Sequence, residues 1–116
     1  MAFYGDNAVA VWINYEGDTN TIMDSFNVSS LTDNSTGKHT VNFSVTMSND
    51  DFVVVHNQRL ETEGGAPNVV HTGCEQEDHT TTSCKLVSGT GNQNAASSSG
   101  TNADSQSVMA AVIGDY

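Results

Sequence analysis

An all-β fold, a sandwich or barrel, is the expectation from this sequence of 116 residues. Three observations predict it. Apolar residues alternate with polar ones at period two in several short runs, the mark of strands with one buried and one wet face. Turn signals built from Gly, Asn and Asp separate those runs at short spacing. Ser, Thr and Asn make up about a third of the chain, with ten Gly and one Pro, a mix that suits strands and turns and suits long helices poorly. No stretch sustains a helical period, and no internal repeat occurs. The length fits a single domain spanning 1–116 with one real core.

The elements follow in order. Residues 8–15 place Val9, Val11, Ile13 and Tyr15 on one face of a strand and Ala10, Trp12 and Asn14 on the other. A turn at Glu16-Gly17-Asp18 precedes a second strand over 20–28, built around Ile22, Phe26 and Val28. The run from Thr32 to Gly37 reads as a hairpin loop whose Gly suits a left-handed position. The cleanest strand is 38–47, where His39, Val41, Phe43, Val45 and Met47 alternate with polar residues. Asn49-Asp50-Asp51 is the next turn, and Phe52 to His56 the next strand. Short pieces at 68–72 and 83–88 follow, and 106–114 is the last strand. The segment 88–105 is polar and of low complexity and reads as a long surface loop. The predicted core is the alternating set Val9, Val11, Ile13, Phe26, Val28, Val41, Phe43, Val45 and Phe52.

Fourteen acidic residues against three basic ones give a net charge of −11. Lys38, Arg59 and Lys85 are too few cations to neutralise a phosphate backbone, so nucleic-acid binding is not expected. Docking to an anionic membrane is disfavoured for the same reason, and no apolar run is long enough for a helical membrane span. Met1-Ala-Phe-Tyr-Gly-Asp has neither a basic nor a long apolar stretch, so no signal peptide is expected. Synthesis in a cytoplasm is the corresponding expectation.

Cys74 and Cys84 lie in a polar stretch and admit three readings: a disulfide, two thiols or a metal site. A bridge would close a loop of about eleven residues and stabilise by roughly 3 kcal/mol in the chain-entropy model. His71, Cys74, His79 and Cys84 form a two-Cys, two-His set with the right chemistry for tetrahedral zinc. Their spacing lacks the C-x2-C knuckle that presents two thiolates from one turn, so a Cys74–Cys84 disulfide beside two loop histidines is preferred. Glu75, Glu77 and Asp78 cluster, as do Asp50 and Asp51, but no calcium-loop frame surrounds them, and a solvated acidic face is expected. No G-x-S-x-G, H-E-x-x-H or phosphate-cradling Gly loop occurs. The expectation is a protein that is not an enzyme and takes no cofactor. Asn27, Asn34 and Asn42 head N-x-S/T triplets, which this composition makes common by chance, so glycosylation is not expected.

Three blocks carry a resemblance. The first is Trp12-Ile-Asn-Tyr-Glu-Gly17. The second runs Ile22-Met-Asp-Ser-Phe-Asn-Val-Ser-Ser-Leu-Thr-Asp-Asn34 and continues through Thr36-Gly-Lys-His-Thr-Val-Asn-Phe43. The third is the ending Ala110-Ala-Val-Ile-Gly-Asp-Tyr116. Together they cover about half of the chain, and the region 60–105 lies outside them. They resemble a distal domain of bacteriophage tail fibres and small virion structural proteins, as found in phages of marine bacteria and cyanobacteria. The resemblance implies an antiparallel, jelly-roll-like β-sandwich that often trimerises and is carried on the virion surface, and it brings no catalytic residues. About seven residues precede the first strand, too few for a fibre shaft, so a small virion protein is expected rather than an excised fibre tip.

The last strand bears on assembly. Val108, Ala110 and Val112 lie on one face and Met109, Ala111 and Ile113 on the other, so both faces need cover. One can be the core; the other needs a neighbour. The expected contact in a homotrimer uses Val108, Ala110 and Val112 together with Trp12, since Trp is enriched at interfaces. Two functions then stand. One is a decorating protein that partners itself and the major capsid or tail proteins. The other is a fibre-tip adhesin whose loops bind a host surface receptor or glycan.

Overall fold

The computed structural model describes residues 9–59, 68–74, 79–92, 101–102 and 104–116. They form nine strands: β1 (Val9–Glu16), β2 (Thr21–Phe26), β3 (Val28–Ser35), β4 (Lys38–Phe43), β5 (Val53–Gln58), β6 (Asn68–Cys74), β7 (Ser83–Asn92), β8 (Thr101–Asn102) and β9 (Val108–Ile113). No helix occurs among the described residues. The strands make two antiparallel sheets, in the orders β2-β1-β9-β5 and β3-β4-β7-β6, with β8 also pairing with β7. This arrangement is consistent with a β-sandwich.

One apolar core joins the sheets. Val11, Ile13, Tyr15, Val108, Ala110 and Val112 enter it from the first sheet, and Val41, Phe43, Cys84 and Leu86 from the second. Phe43 and Phe52 meet edge-on with ring centroids 5.7 Å apart. Tyr15 and the fully buried His39 meet across the sheets at 5.1 Å. Of the core residues predicted from sequence, Val11, Ile13, Val41, Phe43 and Phe52 are buried, while Val28 and Val45 are half-buried at its margin.

Phe26 and Val9 are exceptions. Phe26 is 45% exposed, on the outer face. The reason is a bulge: Tyr15 pairs with Ile22 but Asn14 pairs with Asp24, so Met23 is an extra residue. One extra residue exchanges the faces of everything that follows it. Phe26 therefore shares the outer face with its partner Trp12. Val9 is turned outward in the same way, because Ala10 is the extra residue between Val9 and Val11 opposite β9.

The expected strand over 20–28 is two strands in two sheets. Asn27 alone connects them, in a left-handed conformation with φ 57°. Asn tolerates that region better than most residues. Its Nδ2 donates to the Ala10 carbonyl at 2.8 Å, and its own carbonyl accepts from Ser44 N at 2.9 Å. The expected loop over 32–37 is shorter, because β3 continues to Ser35 and only Thr36-Gly37 turn, with Gly37 at φ 71°. The run over 38–47 leaves its sheet after Phe43, and Met47 N then donates to the Thr81 carbonyl.

The expected loop over 88–105 is largely replaced by structure where it is described. β7 runs on to Asn92, and β8 pairs back onto Gly89 and Thr90; residues 93–100 lie outside the described part. Asp104 and Ser105 lie outside the strands but are half-buried and buried rather than on the surface. Gly37 N donates to Asp104 Oδ1, and Gly17 N donates to the Ser105 carbonyl. Ser105 Oγ donates to Gln58 Oε1, while Gln58 Nε2 donates to the Gly89 carbonyl at 2.6 Å. This buried polar link ties β5 and β7 to the approach to β9.

Candidate functional site

The register of the first sheet sets its outer face in rows. Phe26, Trp12, Ala111 and Val55 line up across β2, β1, β9 and β5. On one side lies the row Val9, Ile113 and Val53; on the other lies Asp24, Asn14, Met109 and Asn57. Val9, Trp12, Phe26, Val53, Val55 and Met109 are all between 37% and 60% exposed. A water-facing antiparallel face should be polar. This one is a contiguous apolar patch of a kind that marks an interaction surface in soluble proteins.

The patch has relief. Ala111 is a methyl group between the Trp12 indole and Val55, and it leaves a shallow groove of about 340 Å³. Asn14, Asn57 and Met109 complete its walls. Asp24 is the one charged residue in the three rows, and it sits on the edge strand β2.

Where its side chains are described, on β3, β4 and β7, the outer face of the second sheet is mostly polar, with Val87 opposite Lys38. Lys38, Thr40 and Asn42 project from β4, beside Ser30 and Thr32 of β3 and Lys85 of β7. Asn42 Nδ2 donates to Ser30 Oγ and to Thr32 Oγ1, each at 3.0 Å. Asn34 Nδ2 donates to Thr40 Oγ1 at 2.7 Å. The three sequon asparagines, Asn27, Asn34 and Asn42, therefore all use their amide nitrogens as donors within the fold.

The expected interface set is corrected. Val108, Ala110 and Val112 are buried in the core. Met109, Ala111 and Ile113 occupy the outer face, and of the expected set Trp12 alone joins them. Sequence parity marked the two faces of β9 correctly as both apolar but could not say which one the second sheet covers. Val53, Val55 and Phe26 were missed as surface residues. The signal available for β5 was its unbroken Val53-Val54-Val55 run, which is apolar on both faces.

Two members of the cysteine and histidine set, His79 and Cys84, have described side chains. Cys84 is buried opposite Val41, and the His79 ring stacks on Phe52 at 4.9 Å. Backbone pairing sets Cys74 opposite Leu86 and His71 opposite Gly89; their side chains lie outside the described part, and so does the Cys74–Cys84 pairing. Glu75, Glu77 and Asp78 are also outside it. Among the described residues, no three His, Cys, Asp or Glu gather to hold a metal ion. His56, half-buried on the inner side of β5, is held below the usual histidine range by burial, partly offset by the Gly73 backbone. Comparison with family models, curated proteins and solved structures yields no match, so the functional reading rests on these faces and on the resemblance of the three sequence blocks.

Proposed function

We propose that this chain is a non-enzymatic structural protein of a bacteriophage particle. In this reading it is a jelly-roll-like sandwich that assembles as a homotrimer, decorates the capsid or tail, and needs no cofactor and no nucleic acid. It is made in the bacterial host cytoplasm and works on the virion surface. The observation that carries the reading is the division of the two outer faces. One is apolar and nearly uncharged, fit to be covered by protein. The other, where it is described on β3 and β4, carries hydroxyl and amide groups that bond to one another, fit to face water.

The blocks that carry the resemblance support the same reading. The stretch Asp24-Ser-Phe-Asn-Val-Ser-Ser30 forms the end of β2, the Asn27 crossing and the start of β3. It is the segment that passes the chain from one sheet to the other. A fibre-tip adhesin would use the same sandwich, and copy number separates the two. Quantitative mass spectrometry of purified particles should find this chain at hundreds of copies for a capsid decoration. A dozen or so copies would assign it to a tail appendage. Its absence from particles of an infecting phage that encodes it would overturn the proposal.

A further inference from the structure

We propose that the outer face of the sheet β2-β1-β9-β5 binds a second copy of this chain, with Trp12 of one copy seated in the groove over Ala111 of the other. The inference rests on the self-association in the reading above; it assigns that association a surface and a contact, and makes the contact a two-fold pair rather than a three-fold ring.

The face sets large and small side chains side by side. Phe26 and Trp12 on β2 and β1 are 45% and 37% exposed, and the next residue in their row is Ala111. Val55 and Met109 wall the hollow beyond it. A surface that holds both a knob and its notch can close on itself by symmetry, because residue i then meets residue j twice. Trp12 is 37% exposed, so a partner can cover about a third of the roughly 150–250 Å² of a Trp side chain.

Electrostatics favours the same occupant. A chain of net charge −11 would attract a basic partner through its acidic surface. The three rows hold one charged residue, Asp24, at their margin, so this face offers a basic partner almost nothing. It does offer two acidic copies the one kind of contact that adds little further repulsion. Salt then strengthens association by screening the rest of the charge.

Size sets the strength. Four strands about 4.8 Å apart and five residues at about 3.3 Å give a footprint on the order of 300 Å². A stable interface uses about 800 Å² per partner. The contact is therefore weak in dilute solution and grows where copies are held close together, as on a particle.

Trp12 is the sole tryptophan, so its fluorescence reports the contact directly. As the full chain is concentrated from tens of micromolar toward about a millimolar, light scattering should show mass rising above the 12.3 kDa monomer. Trp emission should shift to shorter wavelength in step, and at lower protein concentration when salt is raised. Ala111→Leu fills the notch and should hold the chain monomeric with an unchanged melting curve; Trp12→Ala should also hold it monomeric, with a lower melting temperature because Trp12 is only 37% exposed within the chain. Mixed together, these two variants should associate again, since one supplies the notch and the other the knob. If Ala111→Leu disturbs folding, Val55→Lys on the solvent side of β5 should block association. A monomer at every concentration and salt overturns the inference. So does an oligomer whose Trp12 emission matches the monomer's. A chain present on particles but monomeric in solution would defeat this inference alone; an associating chain absent from particles would defeat the virion reading alone.

Discussion

The two outer faces of this molecule are built on similar backbones and differ in what their side chains do with water. On the β3-β4-β7 side, Asn42 and Asn34 bond to Ser30, Thr32 and Thr40, so polar groups satisfy one another along the sheet. On the β2-β1-β9-β5 side, Phe26, Trp12, Ala111 and Val55 cross four strands with no polar residue in the row. Cross-strand pairs stabilise either kind of sheet, so local stability does not explain the difference. Water does: the first face is complete in it, and the second exposes area that a partner would remove.

The comparison should collapse in the layer that both sheets share. Phe43→Ala empties a buried site between them and should cost roughly 3–5 kcal/mol, read as a melting temperature lower by roughly 10–20 °C. An unchanged melting curve would show that the inner layer is misassigned. The same truncation outside, Val55→Ala, should leave the melting of the dilute chain within about 0.5 kcal/mol.

Asn27, where the chain passes between the sheets, comes next. Asn27→Ala loses the bond to the Ala10 carbonyl and places a Cβ-bearing residue at φ 57° without a polar side chain to support it. A cost of about 1–2 kcal/mol is expected in chemical denaturation. Asn27→Gly keeps the conformation and should recover part of that loss; equal costs for both variants would mean that the left-handed turn contributes nothing.

The polar lattice is the more tolerant face. Asn42→Ala removes two exposed hydrogen bonds and should cost about 1 kcal/mol or less, with no effect on association. A gain of self-association in Asn42→Ala would erase the distinction between the faces.

The smallest expected effect is in acid. Burial lowers the His56 pKa in the folded chain from its ordinary 6.5, so the unfolded chain takes up a proton first. Stability contributed by neutral His56 is present above that value and is lost as pH falls from 6.5 toward the lowered folded value. Denaturation midpoints between pH 7 and 5 should fall for the natural chain and fall less for His56→Gln. Parallel slopes would assign the acid sensitivity to other groups.

Much of the fold was legible because period two is a local property. The strands at 9–16, 38–43, 53–58 and 108–113 lie within or beside runs that the alternation marks, and Val11, Ile13, Val41 and Phe43 are inside as their parity requires. The candidate surface was half legible. Trp12 stood out, and the last strand read as apolar on both faces. The zinc and disulfide readings gained nothing from alternation, since they depend on where side chains of separate strands converge.

The amino-acid sequence by itself determined the all-β class, the placement of most strands, the acidic surface and the two-sided apolar character of β9. Each follows from residue type and short-range spacing. Only the tertiary structure decided which side of β9 is the core, that Asn27 splits one apparent strand between two sheets, and that the bulge at Met23 turns Phe26 outward. A single inserted residue or a single positive φ exchanges the faces of every residue after it. Whether the chain adopts one depends on the register that neighbouring strands impose, and that register is set by residues far away in the sequence.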